Sequence, residues 1–106
     1  TARTIQKAGE AGDAAAIELI GATADYLGTG LGSLLNIFNP DVIAIGGGVA
    51  NIGGMLLDPA YAVARKRAFP PAAAAVRFVP AELGRNSGVI GAGLHAREQI
   101  AERRRA

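Results

Sequence analysis

Three consecutive glycines, Gly46-Gly47-Gly48, follow the apolar run Val42-Ile43-Ala44-Ile45. A buried strand that ends in bare backbone lets a ligand approach main-chain N–H groups directly, and such turns commonly hold a nucleotide phosphate or a sugar. The N–H groups of Gly47, Gly48 and Val49 would face that ligand at the start of the next helix, with the Asn51 side chain as a further contact. The same residues also fit a tight strand-to-helix turn that holds nothing. A second glycine site, Leu83-Gly84-Arg85-Asn86-Ser87-Gly88, poses the same choice, and there the ligand-free turn is favoured.

Other chemistry is thin. His95 is the only histidine, and with no Asp or Glu four residues to either side it reads as a structural or surface residue. No Ser-His-acid set can be assembled around it. Asp13 and Asp58 read as helix caps, Glu98 and Glu102 as one face of a helix, and Asp25 as a solvated residue on a helix. Asp41 precedes its strand, whereas ligands of open α/β sheets bind at the carboxyl ends. The chain has no cysteine and no metal-ligand spacing, which excludes disulfides and thiolate metal sites. Phosphoryl transfer needs a base, a metal–phosphate clamp and a glycine-rich cradle. Only part of the cradle is present, so no catalytic or metal-binding residue is assigned.

The elements that would position the glycine turn are legible. Thr1 to Gly9 suits a short helix closed by Gly9, and Asp13 suits the N-cap of the next. Ile17, Ile20, Ala24, Leu27, Leu31, Leu34 and Phe38 recur at spacings of three and four, predicting one apolar seam on a long helix reaching Phe38. Gly28, Gly30 and Gly32 fall inside it, each costing roughly 1 kcal/mol against Ala, so close packing or a ligand should compensate. Asn39 suits a left-handed terminus, and Pro40 cannot continue the helix. Val42–Ile45 lacks polar alternation, as in a strand buried on both faces of a parallel sheet. Ile52 to Leu57 predicts a first helical segment, and Asp58-Pro59 the cap and first position of a second, ending before Pro70-Pro71. Val76 to Val79 predicts a strand stopped by Pro80, giving a right-handed βαβ crossover with parallel strands. Ser87 suits the cap of a final helix, with Val89, Ile90, Leu94 and Ile100 available for burial.

The 106 residues suffice for one modest core. Half are hydrophobic, yet many of these are alanine and only five are aromatic, so packing must rely on close backbone approach. The net charge of +2 is small, and Arg103-Arg104-Arg105 reads as a solvated helix end, giving nucleic-acid binding little support. No apolar run reaches membrane-spanning length and no signal-peptide pattern is present, so a soluble, cytoplasmic protein is expected. The chain starts at Thr1 in mid-pattern, as a piece of a longer protein would.

Four segments in order resemble the C-terminal part of the ROK family (repressors, open reading frames and kinases), particularly bacterial glucokinases. They are Tyr26-Leu27-Gly28-Thr29-Gly30-Leu31, Asn36-Ile37-Phe38-Asn39-Pro40-Asp41, Ile43-Ala44-Ile45-Gly46-Gly47-Gly48-Val49, and Leu83 through Gly93. The resemblance implies an α/β fold of the actin-like, ribonuclease H-like ATPase class. The chain would be a single partial domain over residues 1–106, the distal part of the larger C-terminal lobe. It also implies that Gly46, Gly47, Gly48 and Val49, with Asn51 as an extension, border the adenosine side of an ATP site. The phosphate loop, the Asn-Asp pair with the base, the sugar-binding Glu-x-Gly-His and the Cys-rich zinc motif are absent here and normally lie upstream. The expected whole is a sugar kinase using ATP and Mg²⁺ on glucose, with zinc a candidate in the upstream part. It is expected to pair with that N-terminal part, to be a homo-oligomer, and to bind neither nucleic acid nor membrane; the chain alone should be inactive. Two alternatives stand beside it, a ROK-type sugar-responsive repressor and a non-catalytic assembly module.

Overall fold

A computed structural model describes all of residues 1–106. In chain order the elements are helix α1 (Ala2–Glu10), helix α2 (Ala14–Phe38), strand β1 (Val42–Ile45), a 3₁₀ turn (Val49–Ile52), helix α3 (Gly54–Arg67), helix α4 (Pro70–Ala75), strand β2 (Arg77–Pro80), a second 3₁₀ turn (Gly84–Asn86) and helix α5 (Ser87–Arg105). The architecture is a mostly helical α/β unit with a two-stranded parallel sheet pairing Ile43 with Phe78. Asp13 caps α2 by accepting the Ala16 N–H at 2.8 Å, and Asn39 ends it in the left-handed region at φ 45°. α1 runs one residue past Gly9, which is buried against Ile20 and Met55 instead of terminating the helix.

The core lies between α2 and α3. On α2 the buried line is Ala16, Ile20, Ala24, Gly28, Leu31, Gly32 and Leu35, while Ile17, Leu34 and Phe38 of the predicted seam are exposed. A step of four residues replaces the alternating three and four because Ala24, Gly28 and Gly32 form a ridge of small residues. That ridge meets Ala60 and Ala64 of α3, and the two backbones touch. A Cβ on Gly28 would lie 2.5 Å from the Ala60 carbonyl oxygen, and one on Gly32 would lie 3.0 Å from the Arg67 Cβ. Two of the three helical glycines are therefore explained by packing. Gly30 meets nothing.

Two apolar clusters flank this contact, joined by the half-buried Leu27. One gathers Leu31, Leu35, Ala64, Ala68, Ala72 and Val76 beneath Ile43, Ile45 and Phe78 of the sheet. The other packs Ile20, Ala24, Ile52, Leu56 and Ala60 against α1, and so seats the turn after the triple glycine. Val42 and Ala44 point away from the core and are exposed, so β1 is covered on one face rather than the expected two. No helix covers that second face. Only 15 of 106 residues are buried, and the radius of gyration of 17.2 Å exceeds the roughly 13 Å of a compact domain of this length.

The crossover departs from expectation in two places. α3 is continuous from Gly54, so Asp58 is not a cap and Pro59 sits inside the helix. As the sixth residue of α3 it leaves the Met55 carbonyl without its i→i−4 donor, while the first turn ahead of it is closed by the Leu56 and Leu57 N–H groups on the Gly53 carbonyl. Pro70-Pro71 does not merely end a helix; it begins α4, where prolines fill positions that need no N–H donor. Arg65 fastens the end of α4, donating to the Ala73 and Val76 carbonyls while its guanidinium lies 5.1 Å from the Phe78 ring centroid. Tyr61 stacks on the same ring at 4.3 Å; burial, then the Asp58 carboxylate, raises its pKa above 10.

Asn36 joins α2 to the bend between α3 and α4. Its amide donates to the Arg67 carbonyl at 3.3 Å, and its oxygen accepts the Phe69 N–H at 2.8 Å. The first is the carbonyl of the last residue of α3 and the second the N–H of the residue just before α4, groups that helix termini leave without a helical partner. Asn36→Ala is expected to cost about 1 kcal/mol, with Asn36→Asp in between because it keeps the acceptor alone. Thermal unfolding followed by circular dichroism would check the order.

α5 differs most from its prediction. None of its residues is buried, and Val89, Ile90, Leu94 and Ile100 all face solvent. Ser87 is the first helical residue rather than the cap, and its hydroxyl donates to the Gly84 carbonyl at 2.8 Å. His95 and the terminal arginines are exposed. No helix is long and apolar enough to cross a membrane.

Candidate functional site

The carboxyl ends of β1 and β2 lie side by side because the strands are parallel and in register from Val42 with Arg77 to Ile45 with Pro80. The ladder closes with the Ala81 N–H on the Ile45 carbonyl at 2.9 Å. Both glycine loops thus leave the same edge of the sheet. A small cavity of about 120 Å³ separates them, with Ile45, Gly46 and Gly47 on one side, Pro80, Ala81 and Gly84 on the other, and Ala50, Asn51 and Leu57 completing it.

The three glycines do different things. A Cβ on Gly46 would come 2.9 Å from the Ala81 Cβ, so this residue lets the two strand ends approach. Gly47 makes the turn at φ 97°, a conformation that side chains resist. Gly48 answers to neither need. Its backbone is right-handed helical at φ −61° and ψ −38°, and a Cβ there would meet no atom within 4 Å. It borders a cleft of about 310 Å³ together with Arg3, Gln6, Asn51, Ile52 and Arg85.

The expected helix start is displaced. A single 3₁₀ turn succeeds Gly48, the backbone redirects at Gly53 (φ 72°, ψ −146°), and α3 begins only at Gly54. The positive end of a long helix is therefore not aimed at the glycines, and the turn can offer only its local N–H groups. Asn51 is better placed than its sequence position suggests, since it borders both the small cavity and the larger cleft. Val49 borders neither of these spaces and instead lines an apolar hollow with Ala2, Ile5, Leu19 and Thr23.

Sequence reasoning missed Arg3, Gln6 and Arg85. Arg3 and Gln6 are one turn apart on α1, on the side adjoining Ala2 and Ile5, which pack against the core cluster. That pattern was visible as an amphipathic short helix, but nothing local tied α1 to a loop some forty residues away. The lining holds two guanidinium groups, two carboxamides and no carboxylate. Such a set suits an anionic or aromatic, hydrogen-bonding ligand. No group of three His, Asp or Glu side chains stands where it could hold a metal ion.

Residues 1–99 match the ROK family. The chain is a member of that family. A glucokinase of Halalkalibacterium halodurans is 38% identical over 99 residues, which make up 93% of this chain and 30% of the relative. A glucokinase of Thermotoga maritima is 26% identical over the same share of the chain and 31% of the relative's length. A xylose repressor of Bacillus spizizenii is 30% identical over 66 residues, 62% of the chain and 17% of the relative. The chain therefore spans about a third of the length of the ROK glucokinases it matches.

Proposed function

We propose that this chain is the nucleotide-side part of a glucokinase-type sugar kinase, the distal part of the C-terminal lobe of an actin-like, ribonuclease H-like ATPase fold. The observation that carries the reading is Gly48, a glycine that neither turn geometry nor packing requires, facing an open cleft at the carboxyl edge of parallel strands. A missing side chain at such a point is what close approach of a nucleoside needs. Gly46, Gly47, Gly48, the Val49 backbone and Asn51 form the adenosine-side wall in this reading. The resemblance of the whole chain to glucokinases supports the substrate assignment.

The intact protein would transfer the γ-phosphoryl group of ATP to the 6-hydroxyl of glucose, the first step of glycolysis, in the cytoplasm. The donor set here does not fit a metal, so Mg²⁺ and any zinc are held by other parts of the protein, as is the base. This chain binds and orients the nucleoside and packs against the remainder of the protein; alone it is inactive.

The test uses the intact protein. Wild type is expected to phosphorylate glucose with ATP. Gly48→Leu is expected to raise the KM for ATP at least about tenfold while thermal stability is kept, since the new side chain enters the ligand's space and not the core. An unchanged KM would remove the glycine turn from the site.

A second reading, a sugar-responsive transcriptional repressor, is favoured by the matches to xylose repressors, one of them a putative xylose repressor of Caldicellulosiruptor sp. at 41% identity over 46 residues. Sugar-dependent DNA binding by the intact protein, with no ATP turnover, would select it.

A further inference from the structure

We propose that Arg3 of α1 and Arg85 of the second glycine loop clamp a phosphoryl group of the nucleotide beside the glycine turn. This rests on the nucleotide reading and adds to it the residues that hold the anionic part of the ligand. The two arginines come from opposite ends of the chain and line one cleft of about 310 Å³ with Gln6, Gly48, Asn51 and Ile52. No carboxylate belongs to that lining, so an anion entering it meets two positive charges and no negative one. The fold itself uses neither arginine. Both are exposed, and no hydrogen bond within the chain engages them, whereas Arg65 donates to the Ala73 and Val76 carbonyls.

The glycine turn beside the cleft leaves further donors unused. The N–H groups of Gly47, Gly48 and Val49 make no hydrogen bond within the chain. Gly47 has a φ of 97° and Gly48 is right-handed helical, an alternation of hand that in anion-holding nests turns successive N–H groups to one side. Gly48, the member of the turn that borders the cleft, has no Cβ to hold an anion away from its backbone. Guanidinium and main-chain N–H groups can only donate, and a phosphoryl group brings both the charge and the several acceptor oxygens that such a set requires. The amides of Gln6 and Asn51 can donate or accept, so the arginines decide the charge of the ligand.

The measurement is calorimetric titration of the intact protein with ATP and with adenosine, in the same Mg²⁺ buffer. Wild type is expected to bind ATP more tightly than adenosine. Arg3→Gln and Arg85→Gln should each lower that preference by roughly tenfold, as loss of one charge-assisted contact does, with adenosine affinity kept within about twofold. Arg85→Lys keeps the charge and loses the planar fork, so it should fall in between. Lys7→Ala removes an exposed cation of α1 that does not line the cleft, and should change neither value. Thermal unfolding of every variant should match wild type, because neither arginine is buried. An unaltered ATP-to-adenosine ratio in the variant carrying both Arg3→Gln and Arg85→Gln overturns this inference and leaves the nucleotide reading standing. An equal fall in the ratio from Lys7→Ala also overturns it, since the effect would then belong to the general field of the surface. A wild-type protein that binds neither ATP nor adenosine overturns both readings.

Discussion

Gly28→Leu is expected to separate α2 from α3 and unfold the chain. Even the first carbon of a side chain at this position would lie 2.5 Å from the Ala60 carbonyl oxygen and 2.6 Å from the Val63 Cβ. Those neighbours cannot swing aside as a flexible side-chain tip can, because one is the backbone of α3 and the other the stem of a β-branched residue. The helices must move apart, and Ala24 and Ala60, both fully buried, would lose the contact that α2 and α3 share. Overpacking usually costs about 1–3 kcal/mol; with backbone as the obstacle, Gly28→Ala alone should reach about 3 kcal/mol and the leucine more. Gly30→Ala supplies the contrast. It adds a methyl group that meets nothing, two residues along the same helix, and should stabilise by up to about 1 kcal/mol. Urea unfolding of the three variants beside wild type is the check. Equal midpoints for Gly28→Ala and Gly30→Ala would mean that the helices are not in backbone contact.

Leu56→Ala is the second large effect, expected at about 3 kcal/mol by loss of buried methyl groups and the cavity they leave. Leu56 is 1% exposed and lies with Ile20, Ala24, Ile52 and Ala60. Few residues this large are fully buried in the chain, Leu35 being the other, so no larger core exists to absorb the loss. Against a typical total of about 5–15 kcal/mol, such a change removes much of the margin. The position also links stability to the site. Ile52, in the same cluster, ends the 3₁₀ turn that carries Asn51 and borders the cleft. In the intact protein, Leu56→Ala should therefore raise the KM for ATP at temperatures below unfolding, whereas Leu56→Met, which conserves volume, should leave it unchanged and cost less than about 1.5 kcal/mol. A destabilised variant with an unaltered KM would show that this cluster does not hold the turn.

The short-range features were legible in the residues. Asp13 as a cap, Asn39 as a left-handed terminus, the two strands and their parallel pairing all depend on local geometry or on a crossover of ordinary length. The second strand, expected at Val76–Val79, nevertheless lies one residue later and includes Pro80 instead of stopping before it. Where the structure departs from the expected pattern, two local signals competed. Asp58-Pro59 looks like a helix start, but the chain had already begun its helix at Gly54, and the helix runs through Pro59 at the loss of one backbone hydrogen bond. Pro70-Pro71 marks a boundary in either role, as the end of one helix or the start of the next; packing of Ala72 against the core selected the start.

Side-chain burial was less legible, because a periodic apolar pattern names a stripe without naming its partner. On α2 the step of four won over the alternating seam once α3 offered Ala60 and Ala64 to Gly28 and Gly32. On α5 and the outer face of β1, apolar residues stand without cover in a chain that spans about a third of the length of its ROK glucokinase relatives.

By itself the sequence determined the long helix, the final helix, both strands, the glycine turn after β1 and membership of the ROK family, because caps, turn conformations and motif order are properties of neighbouring residues. Only the tertiary structure decided which glycine neither packing nor turn geometry requires and which residues share a cleft with it. Gly46 and Gly48 are identical in sequence terms, and they part company only when Ala81 arrives beside the first and the second is left facing Arg3 and Gln6 from the far end of the chain.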